Sequence, residues 1–332
     1  MSNKMEYVFI TCPHNIELPE GVNEEITLFE DVKISKDNLP LEDLLHDPEV
    51  MNYIGSHTVQ TFEKNICAYA VNEIVIDELP AIERGVARLL TLHYLRQIQY
   101  FTHELWKVKD HNIYVRDGFL LYSLDGFHKF KFYKSSLAEV YSYADNRKET
   151  SLMTLDDMNR VSLGFKPGEI SEDNNIEVSY GTSAKSHYFF KATGSTRMTR
   201  AAYFVNQARS CDIMLTKILH YSNALECLFT IGHAEISHKI SERVALMLGS
   251  TEQARIDLYN LVKNTYKHRS TLVHGQHFKG TEETLNLAAI SVQLDSLLRH
   301  LIQIDDPIFH ASDKEMEEYF TNLLLKDRVP IA

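Results

Sequence analysis

Arg269 and His274 stand five residues apart in a stretch whose apolar residues recur at helical spacing. Leu258, Val262, Tyr266 and Val273 make the apolar stripe, and Arg269 falls on it between the last two. A guanidinium on such a stripe is costly to bury unless an anion meets it. A carboxylate elsewhere in the chain would make Arg269 half of a structural ion pair. A ligand phosphate would make it part of a site, because the planar guanidinium can give two parallel hydrogen bonds to phosphate oxygens. His274 adds a side chain that titrates near neutral pH and can move a proton. The pair is therefore suited to chemistry at a phosphate.

The neighbours admit two readings each. Glu226 lies in an otherwise apolar run and can neutralise Arg269, or orient it while it holds a phosphate. His274 can act in proton transfer or stand as a cation at a helix C-terminus, where the macrodipole favours it. Tyr266 can be core, with its hydroxyl reaching the site. Ser270, one turn before His274, can pack or hydrogen-bond a ligand. Lys263 and Lys267 can be a solvated face or phosphate contacts, and His268 and His277 can touch phosphate or be ordinary surface histidines. From Leu258 to Gly280 there are four cations (Lys263, Lys267, Arg269, Lys279), three histidines and no acid.

The element that must position these groups is a helix. Ser250-Thr251-Glu252-Gln253 offers its N-cap and Gly275 suits its C′ position. Before it the spacing predicts a helix over Ser237–Leu248, ended by Gly249, and a long helical stretch over Met198–Phe229 with a break near Ser222-Asn223. After it come Leu285–Ile304 and Lys314–Leu325. On an ideal helix, residues five apart differ by roughly 140° in azimuth, so Arg269 and His274 do not share a face. A distortion near Gly275 or a two-fold association of chains would bring them together.

The N-terminal part reads differently. Tyr7–Thr11 and Glu25–Ile34 have strand character. Leu79–Trp106 is a helix, with Pro80 in its first turn. Ile113–Leu124 and Phe127–Tyr133 flank the turn signal Asp125-Gly126 and predict a hairpin. Thr150–Gly181 reads as a long loop, and Ser186–Lys191 as one more strand. The expected architecture is an α+β domain over 1–194 followed by an all-α helical bundle over 195–332.

Composition narrows the function. The net charge is −12, but residues 1–194 carry −11 of it and residues 195–332 only −1. Broad coating of nucleic acid is disfavoured, whereas a local basic site can still bind a phosphate backbone. No glycine-rich phosphate loop appears. His233 and His238 are spaced only loosely like a helical metal pair, and no carboxylate is placed to complete a site, so no metal and no cofactor are expected. Cys12, Cys67, Cys211 and Cys227 lack ligand spacing and read as reduced thiols of a cytoplasmic chain, with Cys227 as inert packing. No apolar run has the length of a membrane span, and no signal peptide is recognised.

Three ordered blocks carry a family resemblance. They are Ala224-Leu225-Glu226-Cys227-Leu228, Lys239-Ile240-Ser241-Glu242-Arg243-Val244-Ala245, and Tyr266-x-x-Arg269-Ser270-x-x-Val273-His274-Gly275. Over about 195–305 the chain resembles the Apea-like branch of the HEPN superfamily, whose ribonucleases carry Arg-x(4–6)-His. The resemblance implies a metal-independent endoribonuclease. His274 would transfer protons and Arg269 would stabilise the phosphorane, leaving 2′,3′-cyclic phosphate and 5′-hydroxyl ends. It also implies a homodimer with a composite cleft and a place in prokaryotic defence or toxin systems. A trigger or regulatory partner would then act through 1–194. A non-catalytic module binding RNA or a nucleotide, or a purely structural Arg–His pair, remains the alternative reading of the same residues.

Overall fold

The computed structural model describes residues 3–20, 25–36, 42–76, 83–124, 129–168, 195–232, 235–275 and 281–326. The chain forms two compact units. Of the described residues, 3–141 and 148–168 make the first, and 142–147 with 195–326 make the second. The first is α+β and the second is helical, as the sequence predicts.

The first unit is built on a six-stranded antiparallel sheet. Its strands are β1 (Asn3–Thr11), β3 (Ile26–Phe29), β4 (Val32–Ser35), β5 (Cys67–Ile76), β6 (Asp117–Ser123) and β7 (Lys131–Ser136), in spatial order β3-β4-β5-β1-β6-β7. Alternation along β1 sends Met5, Tyr7 and Phe9 to one face, against Leu90, Tyr94, Leu95 and Ile98 of helix α4 (Glu83–Val108). Val8 and Ile10 go to the other face, with Leu45 of α1 (Glu42–Leu45), Val50 and Ile54 of α2 (Pro48–Ile54), and Val59 and Phe62 of α3 (Ser56–Lys64). A sheet buried on both faces explains why its central strands read as apolar runs.

Several expectations are corrected. Glu25–Ile34 is a hairpin, β3 and β4, turning at Glu30, whose φ is +42°. The hairpin of β6 and β7 exists, but Ile113–Arg116 precedes it outside the strand, bridging to His14 through Tyr114 and burying Ile113 and Val115 in the core. The turn residues Asp125 and Gly126 lie outside the described residues, as do Pro80 and Ser186–Lys191. The supposed loop from Thr150 contains β8 (Ser151–Leu152), which pairs with β2 (Ile16–Glu17), and helix α5 (Leu155–Ser162). Thr154 and Asp157 close a capping box at the start of α5, a start signal hidden in a polar stretch. The Sγ atoms of Cys12 and Cys67 lie 3.3 Å apart, so two of the four free thiols are neighbours although their sequence positions do not show it.

The second unit packs α6 (Arg197–Arg209), α7 (Met214–Phe229), α8 (Ile236–Leu248), α9 (Glu252–Val273), α10 (Thr281–Ile304) and α11 (Asp313–Lys326), with a short 3-10 turn at Pro307–His310. Helix α7 is central and touches α6, α8, α9 and α10. Ile218, Tyr221, Leu225, Leu228 and Phe229 along it are fully buried, and the Tyr221 hydroxyl meets Asp295 of α10 at 3.0 Å. The helical break falls at Ser210–Ile213, not at Ser222-Asn223. Ser222 is buried within the helix, and its hydroxyl bonds back to the Ile218 carbonyl at 2.8 Å. Residues 142–147 lie on the bundle. Ser142 takes up the Arg209 carbonyl through its N–H at 2.9 Å, and buried Lys217 donates to the Ser142 hydroxyl at 2.9 Å.

Candidate active site

Helix α9 carries the site. Thr251 caps its start, accepting from the Ala254 N–H at 3.2 Å, and the helix then runs 22 residues to Val273. Val262, Thr265 and Tyr266 are its buried residues. The apolar stripe does not stay buried to the end. Arg269 is half-buried and Val273 is 60% exposed, so the stripe leaves the core one turn after Tyr266.

The first and third sequence blocks meet across α7 and α9. Arg269 Nη2 lies 3.3 Å from Glu226 Oε1, and the Tyr266 hydroxyl donates to the same oxygen at 3.2 Å. Burial, reinforced by the Glu226 carboxylate, pushes the Tyr266 hydroxyl well above its ordinary value, so it stays protonated and keeps donating. Arg269 also lies over the Tyr266 ring at 5.7 Å. Its Nε is buried with no hydrogen-bond partner among the described residues. Glu226 thus meets one edge of the guanidinium through a single contact. Next in sequence, the Cys227 thiol is pushed up by burial, which suits packing rather than reactivity.

The second block does not reach this place. Arg243 donates to the Phe229 carbonyl at 2.6 Å and pairs with Glu317, tying α8 to α7 and α11. Its role here is structural.

The guanidinium borders a cleft of about 590 Å³ along α9. Arg269 and His274 both line it, with Lys263, Lys267, Tyr266 and Ser270. No carboxylate stands among its described lining residues. Ideal helical geometry sets Arg269 and His274 about 140° apart in azimuth, and α9 stays regular to its end. His274 is the C-cap, with φ −91° and ψ 7°, and its N–H still bonds the Ser270 carbonyl at 3.0 Å. Gly275 follows at φ +63°, where glycine carries no steric cost, and its N–H bonds the Leu272 carbonyl at 3.1 Å. Both residues of one chain nonetheless line the same cleft.

Of the other sequence candidates, His268 is half-buried and is not among the described lining residues. His277 lies outside the described residues, as does His233. Ser237 at the start of α8 and Asn264 line the cleft and were not singled out in the sequence. Asn264 follows Lys263 directly, so the helical spacing that selects Lys263 and Lys267 passes close to it. Nothing in the sequence marks Ser237, which arrives by packing of α8 on α9. Among the described residues no three His, Cys, Asp or Glu side chains are grouped to hold a metal ion, and no helix is long and apolar enough to cross a membrane.

The cleft offers fixed positive charge, an imidazole and hydroxyl and amide donors on one surface. That set can hold an anion with oxygen atoms and move a proton next to it. Compared with protein-family models, curated proteins and solved structures, the chain matches none.

Proposed function

We propose that this chain is an endoribonuclease that cleaves RNA by attack of a 2′-hydroxyl on the adjacent phosphorus. The observation that carries the reading is the placement of Arg269 and His274 on one cleft lined by cations and no described carboxylate. In the reaction, the 2′-oxygen forms a bond to phosphorus and its proton passes to a His274 imidazole. The bond from phosphorus to the 5′-oxygen breaks, and that oxygen takes up a proton. Arg269, with Lys267 beside it, stabilises the charge that builds on the phosphoryl oxygens. Glu226 orients the guanidinium and does not touch the substrate.

Two proton transfers are needed, and His274 is the one imidazole among the described lining residues. A second copy of the chain supplies another, so a homodimer with a shared cleft is part of the proposal. Exposed Val273 at the rim gives that contact an apolar element. The acidic first unit is assigned a regulatory rather than a chemical role, as the resemblance to defence and toxin systems implies.

A second reading has its own support. Glu226 already partners Arg269, and an arginine held in this way needs no phosphate. The Arg–His pair would then be structural, and the chain a scaffold, or a module that binds RNA or a nucleotide through other groups without cutting it. Incubating the purified chain with total RNA in EDTA, followed by analysis of the ends, separates the two. New 2′,3′-cyclic phosphates support the enzyme, and retention of intact RNA on the protein supports the module.

A further inference from the structure

The cationic cleft does not end at Arg269. Lys263, Lys267, Ser270 and His274 are spaced four, three and four residues apart, which places them on one face of α9. Tyr259 lies four residues before Lys263 on the same face and is partly exposed. From Tyr259 to His274 the face is ~22 Å long at ~1.5 Å per residue. That is several times what one phosphate needs.

The far end of this face is a built aromatic corner. Lys263 Nζ lies 5.5 Å from the centre of the Tyr259 ring. The Tyr259 hydroxyl is bonded to His238 Nδ1 of α8 at 2.9 Å, and the two rings meet edge to face with centroids 5.9 Å apart. Glu242 stands 3.9 Å from the other nitrogen of His238. The tyrosine ring is therefore held at its hydroxyl end beside a lysine that faces it. A line of cations that ends on a fixed aromatic ring is the arrangement that binds single-stranded nucleic acid, by phosphate contacts along the groove and base stacking on the ring.

We propose that the α9 face from Ser270 to Tyr259 is a subsite for single-stranded RNA. Lys267 and Lys263 contact phosphates on one side of the scissile bond, and Tyr259 stacks a base. The proposal rests on the ribonuclease reading and adds to it a substrate class, an unpaired strand, and a direction in which that strand runs. Duplex RNA is excluded from the stacking end because its bases are not free to leave their partners.

The test measures binding and cleavage separately. Binding is read by fluorescence anisotropy of a labelled oligouridine of about eight nucleotides on His274→Ala chains in EDTA. Adding Tyr259→Ala should weaken binding roughly tenfold, while Tyr259→Phe, which keeps the ring but loses its bond to His238, should weaken it less. Lys263→Ala should lower the slope of log affinity against log salt by ~0.7, the loss of one phosphate contact to a single strand. Duplex RNA of the same length should bind more weakly than the single strand. Unchanged binding by Tyr259→Ala in a chain with an unchanged melting curve overturns the subsite, and so does equal affinity for duplex. Cleavage of a dinucleotide by the otherwise native chain is followed alongside. If it is cleaved and Tyr259→Ala binds normally, the subsite fails and the nuclease stands. If neither the dinucleotide nor the oligouridine is cleaved but Tyr259→Ala weakens strand binding, the nuclease reading fails and the subsite stands.

Discussion

Arg269 and Glu226 meet at 3.3 Å, with side chains 32% and 24% exposed, and the Tyr266 hydroxyl shares the same carboxylate oxygen. The pair is neither sealed in the core nor free in water. That intermediate position lets the carboxylate hold one edge of the guanidinium while the side chain still borders the cleft.

Partial exposure decides what truncation does. Arg269→Ala should cost about 1 kcal/mol of stability or less, because a screened pair contributes little and Glu226 keeps its bond from Tyr266. Activity should be lost. Glu226→Gln retains an acceptor for Tyr266 but no charge for Arg269, so it should lower kcat and leave KM nearly unchanged. Melting curves beside steady-state rates check both. A loss of several kcal/mol with Arg269→Ala would assign the arginine to the fold.

Gly275 ends α9 immediately after His274, in the left-handed region. A Cβ at Gly275 meets no atom within 4 Å, but φ is +63°, so Gly275→Ala carries only the backbone cost, roughly 1 kcal/mol. The helix end should rearrange to relieve it and carry His274 away from the cleft. The expected result is a small drop in Tm with a large drop in kcat, and Gly275→Asn should retain more activity than Gly275→Ala. Equal activity in all three chains would show that this turn does not position His274.

His220 gives the second unit an acid sensitivity. Its ring lies on Phe204 with centroids 6.3 Å apart, its Nδ1 is buried without a described partner, and burial lowers its pKa from the ordinary 6.5. The unfolded chain therefore takes the proton first as pH falls. Stability should be intact above pH 6.5 and should decline below it until the folded pKa is passed. His220→Phe should flatten the dependence of Tm on pH across that window. An unchanged pH slope in the variant would remove His220 from the account.

The site was more legible than the frame around it. Thr251 and Gly275 marked both ends of α9 because capping chemistry is local, and Glu226 stood out as a charge in an apolar run. Local patterns do not show that Val273 leaves the core, because exposure at a helix end is set by tertiary packing. They misplaced the break between α6 and α7 for a similar reason. Ser222 and Asn223 weaken a helix in isolation, yet Ser222 is buried and bonded to its own helix. The true break at Ser210–Ile213 is held by Ser142 and Lys217, partners about seventy residues apart in sequence. The capping box of α5 was overlooked because polar residues around it outweighed two well-placed ones.

The shared cleft makes a prediction about mixtures. After subunit exchange, a roughly tenfold excess of His274→Ala chains should cut activity per active chain about tenfold, because most active chains then face an inactive partner. Activity per active chain that is independent of the mixing ratio would mean that one chain is sufficient.

The central claim is that RNA is cut by its own 2′-hydroxyl with His274 as the proton carrier. The direct measurement is cleavage, in EDTA, of a single-stranded RNA of defined sequence beside the same strand carrying a 2′-deoxy nucleotide at the cut position. The account predicts that the native chain leaves a 2′,3′-cyclic phosphate on the all-ribose strand, spares the deoxy position, and no longer cuts the all-ribose strand when His274 is alanine in a folded protein. Cutting at the deoxy position, or full cleavage by His274→Ala, would contradict it.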